Sequence, residues 1–187
     1  MTPNSEYPPW EPPFAGTEVE HLLGSLERVR ATFRWKADAL TTEQLRTRLP
    51  SSALTVGGLL KHVAVQEDYA SAVKLAGEPM PAAWDGHGWD TDDDWEITSA
   101  AADSADQLYA LYDDATSRCR SVVRDVIAAR GLDGDSAVVL DEGGRASVRR
   151  ILFDLLEEYA RHLGNLDLAR EALDGRVGED PPRDWRP

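Results

Sequence analysis

Apolar residues recur at helical spacing in four long stretches of the chain, and alternating patterns typical of strands are almost absent. In the first stretch, over about 17–40, Thr17 and Glu20 have the spacing of a capping box. Each of the other stretches begins at Ser or Thr and ends at Gly, as amphipathic helices commonly do. They run from Thr55 to Gly77, from Ser104 to Gly131 and from Ser147 to Gly175.

Four amphipathic segments without an internal repeat predict an all-α fold, an antiparallel four-helix bundle. We expect a single bundle domain over 17–175. An extended Pro/Trp-rich arm, 1–16, precedes it, and a C-terminal tail of similar character, 176–187, follows it. Short elements are expected at Thr41, where a capped turn begins, and over 137–140, which can form one short strand.

The connection between the second and third helices, from Gly77 to Asp103, is long and has no helical period. Its length leaves open whether it crosses the bundle or turns tightly. Long loops in compact domains are usually functional or packed onto the domain. Three tryptophans lie among its acidic residues, and we expect them to anchor the loop over another part of the protein: Trp84, Trp89 and Trp95.

The composition of the chain limits the kinds of partner that we expect it to bind and the cell compartment in which we expect it. The 187 residues include 34 acidic and 20 basic side chains, so the formal net charge is −14. This charge repels phosphate backbones and anionic lipid, and we expect neither a nucleic-acid partner nor membrane association. The longest apolar-leaning stretch, 49–60, is shorter than the roughly 18 residues of a membrane span. The N-terminal residues do not resemble a signal peptide, and the single cysteine allows no intramolecular disulfide, which together predict a cytoplasmic protein.

Two helices carry side chains of metal-ligating type on faces that are otherwise apolar. Glu158 and His162 are four residues apart on the fourth helix and therefore lie one above the other. If His62 of the second helix faces them, two imidazoles and one carboxylate can bind one divalent cation and leave coordination positions open. The stripe that carries His62 is expected to look inward and includes Leu59, Gln66, Tyr69 and Val73.

The residue types and spacing alone leave a second interpretation open. A Glu and a His at i and i+4 often form an ordinary ion pair, and an inward histidine is often a hydrogen-bonded core residue. Nothing in the chain resembles the HExxH signature of a zinc site.

Two segments resemble the DinB superfamily, also called the DinB/YfiT-like metalloenzymes. They are LTVGGLLKHVAVQEDYA, residues 54–70, and SVRRILFDLLEEYARHLGNLDLAREALDG, residues 147–175. The nearest likeness within the superfamily is to an actinobacterial branch of unknown function, and it covers most of 17–175. The resemblance implies a four-helix bundle, often dimeric, whose histidines bind a divalent metal. Several relatives transfer or isomerise substrates with a low-molecular-weight thiol such as mycothiol or bacillithiol.

Carried over residue by residue, the resemblance implies that His62, Glu158 and His162 hold the metal, with zinc, nickel and manganese all open. Gln66 and Asn165 lie one turn from these residues, so we expect them to position a substrate or a metal-bound water, and Tyr69 can donate a hydrogen bond. Many members have histidine where this chain has Glu158, and this branch often has histidine at Asn165. The first departure keeps an oxygen ligand, whereas the second removes a possible ligand or proton carrier.

The resulting hypothesis is a divalent-metal-dependent enzyme related to DinB-type thiol-dependent transferases and isomerases, a thiol S-transferase in which the metal activates a thiol or a water. It would act on a small-molecule substrate as a cytoplasmic homodimer. The alternative is a non-enzymatic helical bundle that binds a small hydrophobic ligand or a partner protein. In that case His62, Glu158 and His162 would form only a hydrogen-bonded core cluster.

Overall fold

The structure is a computed structural model that describes residues 7–49 and 52–186, most of them in helices, and the predicted all-α bundle is confirmed. Residues 1–6 of the predicted arm, residues 50–51 and residue 187 of the predicted tail lie outside the described residues. In the described part of the chain, every helix is too short or too polar to span a lipid bilayer. The α-helices are α1 (Glu18–Ala37), α2 (Thr42–Leu45), α3 (Val56–Asp68), α4 (Trp95–Ser99), α5 (Ala105–Arg130) and α6 (Val148–Asp174).

Helix starts follow the predicted capping residues. The side chains of Thr17, Thr41 and Ser104 each close a capping box with the residue three positions on. The predicted end of the first helix is three residues late, because α1 stops at Ala37 rather than at 40. There the Tyr109 hydroxyl donates to the Ala37 carbonyl at 2.8 Å and takes over a bond that a further helical turn would have made.

The second predicted helix is realised as α3 followed by a π-helical segment, Tyr69–Ala76, which ends at Gly77 with φ of 75°. Its fully buried residues include Leu60, Val63, Ala64 and Glu67, and of the predicted stripe only Leu59 joins them, whereas His62 is half-buried. Tyr69, predicted to look inward, is 41% exposed. The prediction was wrong because two adjacent stripes of α3 are both largely apolar, and only packing decides which of them lies at the centre.

The long helices pack so that α3 lies against both α5 and α6, and α1 lies against α6. The segment between Gly77 and Asp103 has no helical period in the sequence, but α4 lies there and packs on α3. A helix of five residues is too short to show a period. The expected anchoring by tryptophan is present: Trp84 is buried and its indole donates to Asp68 at 2.8 Å.

A small antiparallel hairpin connects α5 to α6. Its strands are β1 (Asp135–Val139) and β2 (Arg145–Ser147). Only one strand, over 137–140, was predicted. The second strand was missed because three residues carry no recognisable alternation.

An ion pair lies at the centre of the bundle. The Arg30 guanidinium donates from two nitrogens to the two oxygens of Glu67, both at 2.7 Å, and Glu67 is 0% exposed. The Tyr159 hydroxyl donates to the same carboxylate at 2.6 Å and lies 3.0 Å from the Tyr112 hydroxyl. Cys119 completes the cluster, and burial raises the pKa of its thiol well above the ordinary range. One polar cluster therefore contacts α1, α3, α5 and α6.

The described parts of the terminal segments pack on α1. Arg28 of α1 contacts Glu11 of the arm at 3.5 Å and Asp180 of the tail at 2.7 Å. Gly24 allows the arm to approach closely, since a Cβ there would lie 2.9 Å from Pro12. The division of the chain into 1–16, 17–175 and 176–187 stays a prediction.

The substitution Glu67→Gln would remove the fully buried carboxylate partner of the Arg30 guanidinium and leave it paired with Glu27, whose side chain is 38% exposed. We expect the free energy of unfolding to fall by about 3–5 kcal/mol, as for other buried pairs that lose one member. Urea denaturation followed by circular dichroism measures this change.

The exposed Glu43→Gln provides the matched control, because it makes the same chemical change on α2 without a buried partner. The double variant Arg30→Met/Glu67→Leu should lose less stability than Glu67→Gln, because no buried charge remains. An unchanged urea midpoint for Glu67→Gln would contradict this assignment.

Candidate metal centre

The three predicted ligands meet where α3 packs on α6. His62 lies in the middle of α3, and Glu158 and His162 lie one turn apart on α6. The Oε1 atom of Glu158 is 3.0 Å from Nε2 of His62 and 3.0 Å from Nε2 of His162. The two imidazole rings are 4.8 Å apart and nearly perpendicular. The structure therefore brings together all three side chains that the sequence singled out.

A fourth residue, Glu96 of α4, belongs to the same group. Its Oε1 lies 3.0 Å from Nδ1 of His62, and its Oε2 accepts a hydrogen bond of 2.6 Å from the Trp89 indole. Burial disfavours the Glu96 carboxylate, but the bonds from His62 and Trp89 outweigh it and lower its pKa. An ionised carboxylate only accepts, so Nδ1 of His62 donates to Glu96, and without a metal Nε2 donates to Glu158 in the same way. With a metal on Nε2, Nδ1 would be the nitrogen that keeps its proton.

Sequence reasoning missed Glu96. It lies 34 residues from His62, in a segment with no period, so nothing in the local pattern connects the two. The one available signal was the long acidic loop with its tryptophans, which marked the segment as functional or packed but did not single out a residue.

The electrostatics of the group differ between its two histidines. Burial disfavours the His62 cation, but hydrogen bonds to Glu96 and Glu158 outweigh it, so the pKa of His62 is raised. For His162, burial and repulsion from His62 lower the pKa despite the bond to Glu158. Burial also disfavours the Glu158 carboxylate, yet its bonds to the two histidines lower its pKa. At neutral pH the group thus contains the ionised carboxylates of Glu96 and Glu158 and a neutral His162 imidazole.

The other predicted site residues, Gln66, Asn165 and Tyr69, lie at the edge of the ligand group or outside it. The Asn165 amide nitrogen lies 3.5 Å from Nδ1 of His162. Gln66 and Glu158 line a cavity of about 80 Å³ between α3, the π-helical segment and α6. Tyr69 lies outside the ligand group, with the Lys74 ammonium 4.9 Å from the centre of its ring. A role for Gln66, Asn165 or Tyr69 toward substrate stays a prediction.

The donor set fits a divalent cation. One ligand atom each from His62, Glu158 and His162 lie within 4.8 Å of one another. Tetrahedral ligands at about 2.0–2.1 Å from zinc are about 3.3 Å apart, so the two separations of 3.0 Å need to open by a few tenths of an ångström. The separation between the two imidazole nitrogens, at most 4.8 Å, needs to close toward the same value. Metal-bound imidazoles normally donate their other N–H to a carboxylate, as His62 does to Glu96. Three protein ligands also leave a position for substrate.

A comparison with protein families agrees with this geometry. The family model described as Mycothiol-S-transferase matches residues 21–175. The chain belongs to the mycothiol-S-transferase family. This family is part of the DinB/YfiT-like superfamily, so the resemblance carried by 54–70 and 147–175 is confirmed. A search of curated proteins gives no match.

Membership of the mycothiol-S-transferase family indicates mycothiol-dependent transfer as the class of activity, with a small-molecule thiol as one substrate. The family also implies the use of a metal, in agreement with the His62 group.

In the metal-free protein we expect the pKa of His62 to lie above the ordinary 6.5 and that of His162 to lie below it. Two carboxylates stabilise the first imidazolium, whereas burial and the neighbouring cation destabilise the second. NMR titration of the imidazole Hε1 resonances measures both values, with His62→Gln and His162→Gln used to assign them. Glu96→Gln should lower the pKa of His62, and a titration in which both histidines shift in the same direction would contradict the geometry.

Proposed function

We propose that this protein is a metal-dependent mycothiol S-transferase that joins the sulfur of mycothiol to a small electrophilic substrate. The observation that carries the proposal is the convergence of Nε2 of His62, Oε1 of Glu158 and Nε2 of His162 in a chain of this family. These three residues would hold one divalent ion, with zinc, nickel and manganese as the candidates.

A divalent cation bound by this group lowers the pKa of a thiol and makes thiolate available near neutral pH. In the overall reaction the S–H bond breaks and its proton passes to water. The sulfur then forms a bond to the electrophilic carbon, and the leaving group departs with the bonding electron pair. The products are a thioether, the leaving group as its anion and the proton that water has accepted.

The chain's own residues orient the ligands and the substrates. Glu96, itself held by the Trp89 indole, fixes the ring of His62 so that Nε2 points into the group. The amide of Gln66 lines the small cavity beside Glu158 and can hydrogen-bond a polar thiol there. The amide of Asn165, next to His162, can do the same on the other side of the ligand group.

The alternative, a core cluster in a non-enzymatic binding module, has weaker support. The His62, Glu158 and His162 side chains retain 14%, 30% and 11% exposure, and Glu158 opens on a cavity. A cluster that only filled the core would be fully enclosed, as Glu67 is. The homodimer, the cytoplasmic location and the absence of a nucleic-acid partner stay predictions, the last because of the net charge of −14.

Metal loading provides the direct test. Protein stripped of metal and incubated separately with zinc, nickel and manganese should take up close to one ion per chain, as measured by plasma mass spectrometry. The His62→Ala/His162→Ala variant should take up none. Bound metal should also raise the melting temperature, since at a free concentration 100 times Kd it adds about 2.7 kcal/mol of stability. The loaded wild type should consume mycothiol in the presence of chlorodinitrobenzene, and the variant should not.

His21→Ala is the matched control, because it removes an exposed imidazole of α1 outside the ligand group. It should leave metal content and thiol consumption unchanged. If the wild type took up no metal and chelators left its melting temperature unchanged, the metal-dependent function would be wrong.

Glu96→Gln separates the positioning role of Glu96 from a ligand role. Loss of the carboxylate that orients a metal-bound histidine typically weakens metal affinity or activity about 10- to 100-fold without abolishing the site. We expect metal titration to show this weakening while the stoichiometry stays at one. Glu78→Gln, in the same connection but outside the ligand group, should have no effect, and equal affinities for Glu96→Gln and wild type would exclude the role.

A further inference from the structure

A second cavity, of about 440 Å³, lies between α1, α5 and the two terminal segments. Its lining shares no residue with the His62 group, which lies between α3 and α6. The volume falls within the range of small-molecule sites, about 300–1,000 Å³. The transferase proposal gives this cavity no role, and it is the place where the Pro/Trp-rich ends of the chain meet.

Aromatic side chains form part of the wall. Trp10 of the arm and Trp185 of the tail meet edge to face with ring centres 6.4 Å apart, and Trp10 is 7% exposed. Tyr112 of α5 lines the cavity as well. Ion pairs from Arg28 to Glu11 and Asp180 keep arm and tail on α1, so this wall is held in place. Such a wall is suited to a flat apolar ring.

Guanidinium groups form the polar part of the wall, and the carboxylates beside them are already engaged. Glu27 accepts from Arg30 at 2.7 Å and from Arg120 at 2.9 Å. Asp113 accepts from Arg34 at 3.1 Å. Arg30 uses most of its donors on Glu67 and Glu27. Arg34 also donates to Asp38 at 2.9 Å. Because each guanidinium has five N–H donors, Arg34 and Arg120 still keep donors that these contacts do not use.

The fourth guanidinium, of Arg186, has no carboxylate partner among the residues that the structure describes. It donates to the backbone carbonyls of Arg183 and Trp185 and lies 6.0 Å from the centre of the Trp10 ring. A cation without an anionic partner, placed over an aromatic wall, favours an anionic ligand in a chain whose net charge is otherwise −14.

We propose that this cavity is a binding site for a small planar organic anion, an aromatic carboxylate. The ring of the ligand packs against Trp10 and Trp185, and its carboxylate accepts hydrogen bonds from Arg186 and from the free donors of Arg34 and Arg120. The site is separate from the metal centre and does not depend on the transferase proposal.

Isothermal titration calorimetry on the full chain tests the site with two probes of nearly equal shape, naphthoate and the neutral naphthamide. We expect naphthoate to bind with a stoichiometry of one and more tightly than naphthamide. Arg186→Gln should weaken naphthoate binding about tenfold and leave naphthamide unchanged, because it removes a charge-assisted contact. Ala31→Phe, which places a ring in the cavity without removing a polar group, should abolish binding of both probes.

Arg124→Gln is the matched control, since it makes the same charge change on α5 at a side chain that is 72% exposed and outside the cavity. It should bind both probes as the wild type does. The His62→Ala/His162→Ala variant should also retain naphthoate binding, which separates failure of this site from failure of the metal centre. Melting curves show that each variant is folded.

Three results would overturn the proposal. Naphthoate could fail to bind the wild type at millimolar concentration, or the two probes could bind equally well. Naphthoate could also bind a folded Ala31→Phe variant as tightly as the wild type, which would place the anion elsewhere.

Discussion

The buried ion pair between Arg30 and Glu67 is the interaction on which the arrangement of the bundle depends. Through the Tyr159 and Tyr112 hydroxyls it contacts all four long helices. Removing two charges from water is costly, so such a pair is tolerated only in the one packing that satisfies it completely. It therefore sets the rotation of α3 and α6 about their axes. Glu67 faces the centre, and His62, five residues earlier, is left at the edge of the α3–α6 interface.

Because the candidate metal centre lies at the edge of this interface, it stays open to ligands from outside. A group at the centre would be as closed as Glu67, whereas Glu158 keeps 30% of its side chain exposed and opens on a cavity. The departure from histidine to Glu158 has a clear structural consequence, since one carboxylate oxygen contacts both imidazoles. The loop adds rigidity, because Trp89 holds Glu96 and Glu96 holds His62. The metal centre is therefore both accessible and well ordered. Helices supply its ligands, and Glu96 of the packed loop restrains His62, one of these ligands.

The two proposed sites lie at different interfaces of the same bundle, and each borders one member of the Arg30–Glu67 ion pair. Arg30 lines the anion cavity on one side, and its partner Glu67 follows Gln66 of the metal-side cavity on α3. The terminal segments complete the first site, whereas the long connection completes the second. The helices thus carry both sites, and side chains from the long connection and from the terminal segments complete them.

The amino-acid sequence by itself determined the all-α class, the helix starts at Thr17, Thr41 and Ser104, and the likeness carried by 54–70 and 147–175. These depend on local chemistry: capping needs residues three apart, and a helical ligand pair such as Glu158 and His162 needs residues four apart. Only the tertiary structure decided that Glu96 joins His62, that Tyr69 lies at the surface and that Trp10 meets Trp185. Those contacts connect segments far apart in the chain, and the packing of whole helices, which no local pattern encodes, brings them together.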